Sequence, residues 1–141
     1  MLFSKTCKAA LKSLAYLVYK YNDSNMYSAK ELAQVTEEND HTLAKVLQLL
    51  VKKEMISSMK GPHGGFYIEK KHLKFSMLKI VEAIDGKFEL NQCALGFSKC
   101  SAKKPCAFHE DFKKSRKIIE NFLFNSKVED LGKTESGFKL T

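Results

Sequence analysis

The chain has 141 residues, enough for one domain with a buried core, and its 44% hydrophobic content excludes a disordered tail. Its longest apolar stretches, such as "LAYLV" (14–18), are far too short to cross a bilayer, and the opening "MLFSKTCKAALK" lacks the apolar core of a signal peptide. A cytoplasmic protein with no membrane partner is therefore expected, and its net charge of +8 (24 basic against 16 acidic residues) favours a polyanionic partner.

From Lys5 to Tyr21, the residues Leu11, Leu14, Ala15, Leu17, Val18 and Tyr21 recur at helical spacing and predict a first helix, which "NDSN" (22–25) breaks. "SAKE" (28–31) reads as a capping box. Ser28 is placed to accept from a first-turn N–H and Glu31 to reach back, opening a short second helix through Leu32, Ala33 and Val35. After "TEEND" (36–40), Leu43, Val46, Leu47, Leu50 and Val51 mark a third helix, capped by Asn39 or Asp40 and ending near Lys53. "MISSMK" (55–60) and "FYIEK" (66–70) have the composition of two short strands. Between them, Pro62 fixes φ while Gly64 and Gly65 allow φ > 0, so a tight hairpin turn is expected, with Lys60 and His63 at its tip.

Two helices joined by a short turn and followed directly by a hairpin predict a helix-turn-helix with a wing. In that arrangement the third helix enters the DNA major groove and the wing reaches the flanking backbone or minor groove. Asp40, His41, Thr42 and Lys45 are the groove-facing candidates, because Leu43, Val46 and Leu47 must point into the core. Lys5, Ser28, Lys60, His63 and Gly64 complete the expected DNA-binding set, with Lys5 and Lys60 acting on phosphates.

"FSMLKIVEAIDG" (75–86) predicts a helix capped by Ser76, with Leu78, Ile80, Val81 and Ile84 on its apolar side and Gly86 just past its end. In "HEDFKKSRKIIENFLF" (109–124), Phe112, Ile118, Ile119, Phe122 and Leu123 recur at helical spacing. "SKVEDL" (126–131) then predicts a short helix behind a Ser126 cap. A long amphipathic helix needs a partner surface, and helix-turn-helix proteins commonly read two half-sites as two-fold dimers, so it is assigned to homodimerisation.

"CALGFSKCSAKKPCAFH" (93–109) sets Cys93, Cys100, Cys106 and His109 in a Cys-x6-Cys-x5-Cys-x2-His order. Clustered cysteines in a cytoplasmic protein point to metal or redox chemistry rather than structural disulfides. Thiolates suit both iron–sulfur clusters and zinc. Structural zinc sites more often have short Cys-x2–4-Cys steps, so the open spacing favours an iron–sulfur cluster. Lys99, Lys103 and Lys104 favour the thiolate form. No glycine-rich nucleotide loop, Ser-His-Asp set or paired catalytic carboxylates are visible, so an enzyme is not expected.

These segments together resemble the IscR/NsrR-type iron–sulfur regulators of bacterial transcription. The likeness runs through "LFSKTCKAALKSLAYL", "SAKELAQ", "LAKVLQLLVKKEMISSMKGPHGGFYI", "LKIVEAIDG" and the three cysteines. It implies a homodimeric winged-helix regulator of promoter DNA, modulated by a cluster on Cys93, Cys100 and Cys106, with His109 matching the histidine of the IscR branch. Six residues separate the first two cysteines where the family usually has five. Lys8 stands where the NsrR branch has an acidic ligand, so the resemblance favours a [2Fe–2S] cluster, with Cys7 as a possible substitute ligand.

The expected architecture is thus mainly α with a small β-hairpin wing. It comprises a winged helix-turn-helix domain (1–86), a cysteine-rich cluster loop (87–108), a dimerisation helix with a short following helix (109–131) and a disordered tail (132–141). The expected function is a DNA-binding transcriptional regulator governed by redox state, iron, oxygen or nitric oxide. The alternative is a cluster-free or zinc-stabilised winged-helix regulator sensing another signal through its cysteines.

Overall fold

The computed structural model describes residues 2–21, 26–87 and 93–133. Helix α1 (Lys5–Tyr19) begins where the Ser4 hydroxyl oxygen accepts from the Cys7 N–H at 3.0 Å, and it stops short of Tyr21. The expected break at 22–25 lies outside the described residues. Helix α2 (Ala29–Thr36) carries the full capping box: the Glu31 N–H donates to the Ser28 Oγ at 3.1 Å, and the Ser28 N–H donates to the Glu31 carboxylate at 2.7 Å. Glu37, in the left-handed region at φ 55°, ends the helix. Asn39 then caps α3 (Asp40–Lys52), its Oδ1 accepting from the His41 and Thr42 N–H groups at 3.0 and 3.2 Å. Of the two cap candidates, Asn39 is the cap and Asp40 the first helical residue.

The apolar faces of these helices meet in one core, where Leu14, Leu32, Leu43, Leu47, Leu50 and Ile80 are fully buried. Ile80 comes from α5 (Met77–Asp85), which Ser76 caps by accepting from the Lys79 N–H, as its sequence predicts. The far end of α5 is tied to the start of α1, because the Asp85 carboxylate accepts both the Ser4 N–H and the Ser4 hydroxyl.

Strands β1 (Ser57–Met59) and β2 (Gly65–Tyr67) form the antiparallel wing, pairing Ser57 with Tyr67 and Met59 with Gly65. Tyr27, just before α2, exchanges both backbone hydrogen bonds with Phe66, at 3.0 and 2.7 Å, and so fastens the wing to the helix-turn-helix. The turn uses its glycines differently from expectation. Gly61 (φ 111°) and Gly65 (φ 153°) take positive φ, whereas Gly64 does not; a Cβ on Gly64 would lie 2.0 Å from the Met59 carbonyl oxygen, so close backbone approach demands glycine there.

The second strand is shorter than "FYIEK". After Tyr67 the chain turns into a short helix, α4 (Lys70–Leu73), which buries His72 and Leu73. His72 is only 1% exposed. Its Nδ1 accepts from the Glu69 N–H at 2.9 Å, while the Glu69 carboxylate accepts from the Ser57 hydroxyl at 2.5 Å, linking α4 to the base of the wing.

Helix α6 (His109–Asn125) buries only Leu123 among its residues. The chain then returns to the core through a 3-10 helix (Val128–Gly132) lying along α1, with Val128 fully buried. Ser126 does not cap this helix. Its extended backbone accepts from the Met77 N–H at 2.8 Å, within an isolated bridge that pairs Ser76 with Lys127, and the Lys127 N–H donates to the Asp130 carboxylate to make the cap. The 3-10 helix thus reaches one residue past the expected 131, and 134–141, the rest of the expected tail, lies outside the described residues.

Burial pushes the His72 imidazole below the ordinary histidine range, keeping it neutral in the fold. In the unfolded chain it takes up a proton near pH ~6.5, so the native state binds fewer protons below that value and stability falls as pH drops through it. Urea unfolding at pH 7.5 and 5.5 should therefore show a larger loss for the wild type than for His72→Gln. Equal losses in the two proteins would rule out His72 as the source.

Candidate metal centre and nucleic-acid interface

Burial of Leu43, Val46 and Leu47 orients α3 so that Asp40, His41, Thr42 and Lys45 are all exposed along its first two turns. At the wing, Lys60 and His63 are exposed and Gly64 is half-buried. Ser28 lies opposite this turn: Ser28, Lys30 and Gln34 line one side of an open cleft whose other side is Pro62, His63 and Gly64. Lys30 and Gln34 were not legible as part of this surface, although their i,i+4 spacing behind the capping box puts them on one helix face. Lys5 sits elsewhere, in a shallow groove with Lys8, Lys12 and Glu38 beside the α2–α3 turn. There Lys12 donates to the Thr36 carbonyl at 3.0 Å and pairs with Glu38.

Cys93, Cys100 and Cys106 converge, their sulfurs all within 4.8 Å of one another. The loop gathers them by turns: the Gly96 N–H returns to the Cys93 carbonyl, and the Cys100 N–H to that of Phe97. Gly96 itself sits at φ 80°. Cys93 Sγ lies 3.7 Å from Cys106 Sγ, and Cys100 Sγ lies 3.3 Å from Nδ1 of His109, the first residue of α6. Desolvation raises the Cys93 thiol, but the Phe97 and Leu95 N–H groups and the neighbouring thiols outweigh it and bring it down to about 7. The Cys106 N–H favours the Cys100 thiolate, yet desolvation and the adjacent thiols hold Cys100 above the ordinary range. Three soft donors thus face one another at the mouth of a helix, with the His109 imidazole against Cys100, and the three sulfurs are a donor set able to hold a metal centre.

Two thiolates bound at about 2.3 Å to one tetrahedral ion lie about 3.8 Å apart, so the 3.7 Å Cys93–Cys106 separation fits ligation without rearrangement. Cys7 does not belong to this group. It is fully buried in the core under α1, and burial first, then the Asp85 carboxylate, push its thiol up to about 12. Its place on the apolar stripe of α1 turns it away from solvent, and it lies outside the group of converging sulfurs.

A sequence profile of the Rrf2 family, described as iron-dependent transcriptional regulators, matches residues 3–134. The chain is 33% identical over 133 residues to an HTH-type transcriptional regulator of Aquifex aeolicus, spanning 93% of this chain and 91% of that protein. It is 25% identical over 127 residues to the transcriptional regulator NsrR of Oceanobacillus iheyensis, spanning 89% and 86% of the two. Among solved structures, CymR, the global cysteine regulator of B. subtilis, superposes with a TM-score of 0.75 at 18% identity over 94% of this chain and 96% of its own. T. potens IscR superposes with a TM-score of 0.68 at 18% identity, over 93% and 85%. At such identities the structural likeness concerns the fold, a winged helix with a long C-terminal helix.

The contrast between buried Cys7 and the three half-buried loop thiols has a direct readout. Iodoacetamide on the native, metal-free protein should alkylate Cys93, Cys100 and Cys106 and leave Cys7 unmodified until denaturant is added. Early labelling of Cys7 in the peptide map would contradict its burial.

Proposed function

This chain belongs to the Rrf2 family of transcriptional regulators, and from that membership we propose that it reads promoter DNA as a homodimer under the control of an iron–sulfur cluster held by Cys93, Cys100, Cys106 and His109. The observation that carries the cluster is the convergence of three sulfurs within 4.8 Å on the segment joining the winged domain to α6. Cys93, Cys100 and Cys106 would supply thiolates and His109 an imidazole nitrogen, the donor set implied by the likeness to IscR and its [2Fe–2S] cluster. When bound, the cluster would supply a redox- and iron-sensitive crosslink between loop and helix.

The DNA reading rests on the exposed first turns of α3 beside a wing that Tyr27 locks in place. Asp40, His41, Thr42 and Lys45 meet base edges, while Lys60, His63 and the backbone at Gly64 follow the flanking strand with Ser28 across the cleft. Lys5 adds a phosphate contact from the start of α1. Dimerisation draws support from α6, where Ile118, Phe122 and Phe124 are 70%, 64% and 65% exposed, an arrangement costly in water unless a second copy covers it. A two-fold pair of α3 helices would then meet half-sites about 34 Å apart.

Coupling requires only that the loaded and empty loops prefer different dimer geometries; about 1.4 kcal/mol of difference is tenfold in affinity. Anaerobic purification should give a brown protein containing iron and sulfide, with unequal holo and apo affinities for the same promoter fragment at one fixed salt concentration. A colourless, zinc-loaded protein with unchanged DNA affinity would instead establish the zinc-stabilised alternative. Alanine at any one of Cys93, Cys100 or Cys106 should remove the visible absorption and leave the far-UV spectrum unchanged.

Lys60→Ala should weaken binding to every sequence and reduce the slope of log affinity against log salt by about 0.9, the share of one phosphate contact. His41→Ala should instead change preference between sites at an unchanged slope. If Lys60→Ala altered preference alone, the wing would not be on the backbone.

A further inference from the structure

We propose that in the cluster-free chain Cys93 and Cys106 form a dithiol that hydroperoxides oxidise to a disulfide, while Cys100 remains a thiol. The proposal deepens the cluster reading, because the same sulfurs serve both states and the disulfide blocks loading.

Geometry selects the pair. Cys93 Sγ and Cys106 Sγ are already in contact at 3.7 Å, so closing a bond of ordinary length needs about 1.7 Å of approach. Cys100 is engaged elsewhere: its sulfur lies 3.3 Å from His109 Nδ1 and accepts the Cys106 N–H at 3.4 Å. Residues 93–108 contain no helix or strand, so the approach breaks no ladder of hydrogen bonds. Residues 94–99 and 101–105 are all exposed, which leaves a path for a small peroxide. Cys7, buried under α1, cannot compete as a partner.

The chemistry balances with a hydroperoxide as the oxidant. One thiolate of the pair attacks the peroxide oxygen, the O–O bond breaks, and an alcohol (water, from hydrogen peroxide) leaves as a sulfenic acid forms. The second thiolate attacks that sulfur, an S–S bond forms, the S–O bond breaks, and hydroxide leaves as water. Two thiols lose two electrons and two protons, and the peroxide is reduced by the same two electrons.

The test uses the full-length apo-protein treated anaerobically with hydrogen peroxide, alkylated with iodoacetamide and digested with trypsin without reduction. Lysines at 87, 99, 103 and 113 divide the cysteines among three peptides, 88–99, 100–103 and 104–113, because Pro105 protects the bond after Lys104. The expected product is a crosslink of 88–99 to 104–113, with Cys100 alkylated and the link released by dithiothreitol. Cys100→Ser should still form it and Cys106→Ser should not. A crosslink through Cys100, or oxidation without any intramolecular crosslink, overturns the proposal. The oxidised protein should also refuse iron and sulfide until reduced; if it takes up the cluster while crosslinked, the blocking role is wrong. If even the reduced protein never develops visible absorption, the cluster reading fails while the peptide map still decides the dithiol.

Discussion

When Leu43, Leu47 and Leu50 leave water against Leu14, Leu32 and Ile80, the rotation of α3 is no longer free. Each such side chain contributes roughly 1.5–3 kcal/mol on burial, and at 3.6 residues per turn the rest of the helix follows. Asp40, His41, Thr42 and Lys45 must then face outward, whatever their own preferences. The wing inherits the same constraint. Met55 and Ile56, both buried, lead directly from α3 into β1, and Tyr27, fixed ahead of α2, pairs with Phe66 on β2. One apolar interface thus places the helix and the hairpin on a common surface.

A second set of contacts determines how the cysteine segment is suspended. Its N-terminal side leaves α5, whose end is held to α1 by the Asp85–Ser4 hydrogen bonds. Its C-terminal side enters α6, which is anchored by Leu123 and returned to α5 through the bridge between Ser76 and Lys127. The segment between is held by turns and by its own sulfurs. The fold therefore has a rigid reading surface and an irregular segment whose chemistry can vary independently. That division agrees with a fold shared at 18% identity by CymR and an IscR alike: the architecture by itself does not name the signal.

Local chemistry was legible along the chain. The box of Ser28 and Glu31, the cap at Ser76 and the apolar stripes of α1, α3, α5 and α6 involve partners within four residues, and all are present. The wing was legible from its glycines, although the reason for Gly64 was misread: the clash that excludes a side chain comes from Met59, across the turn, rather than from its own φ. The α4 helix and the use of Ser126 escaped for a related reason. Ser126 has the residue type of a cap, yet its backbone is claimed by Met77, distant in sequence.

By itself the sequence determined helices α1, α2, α3, α5 and α6, the caps at Ser28 and Ser76, the hairpin, the outward face of α3 and the candidate ligands, because each depends on periodicity or on neighbours a turn away. Only the tertiary structure decided that Tyr27 extends the wing, that Cys7 is sealed in the core apart from the other cysteines, and that Cys93 pairs most closely with Cys106 while Cys100 meets His109. Those outcomes depend on where distant segments meet once the apolar faces are buried. Spacing along a flexible loop limits how far two sulfurs can be apart but does not choose which two touch; the packing that positions α5 and α6 makes that choice.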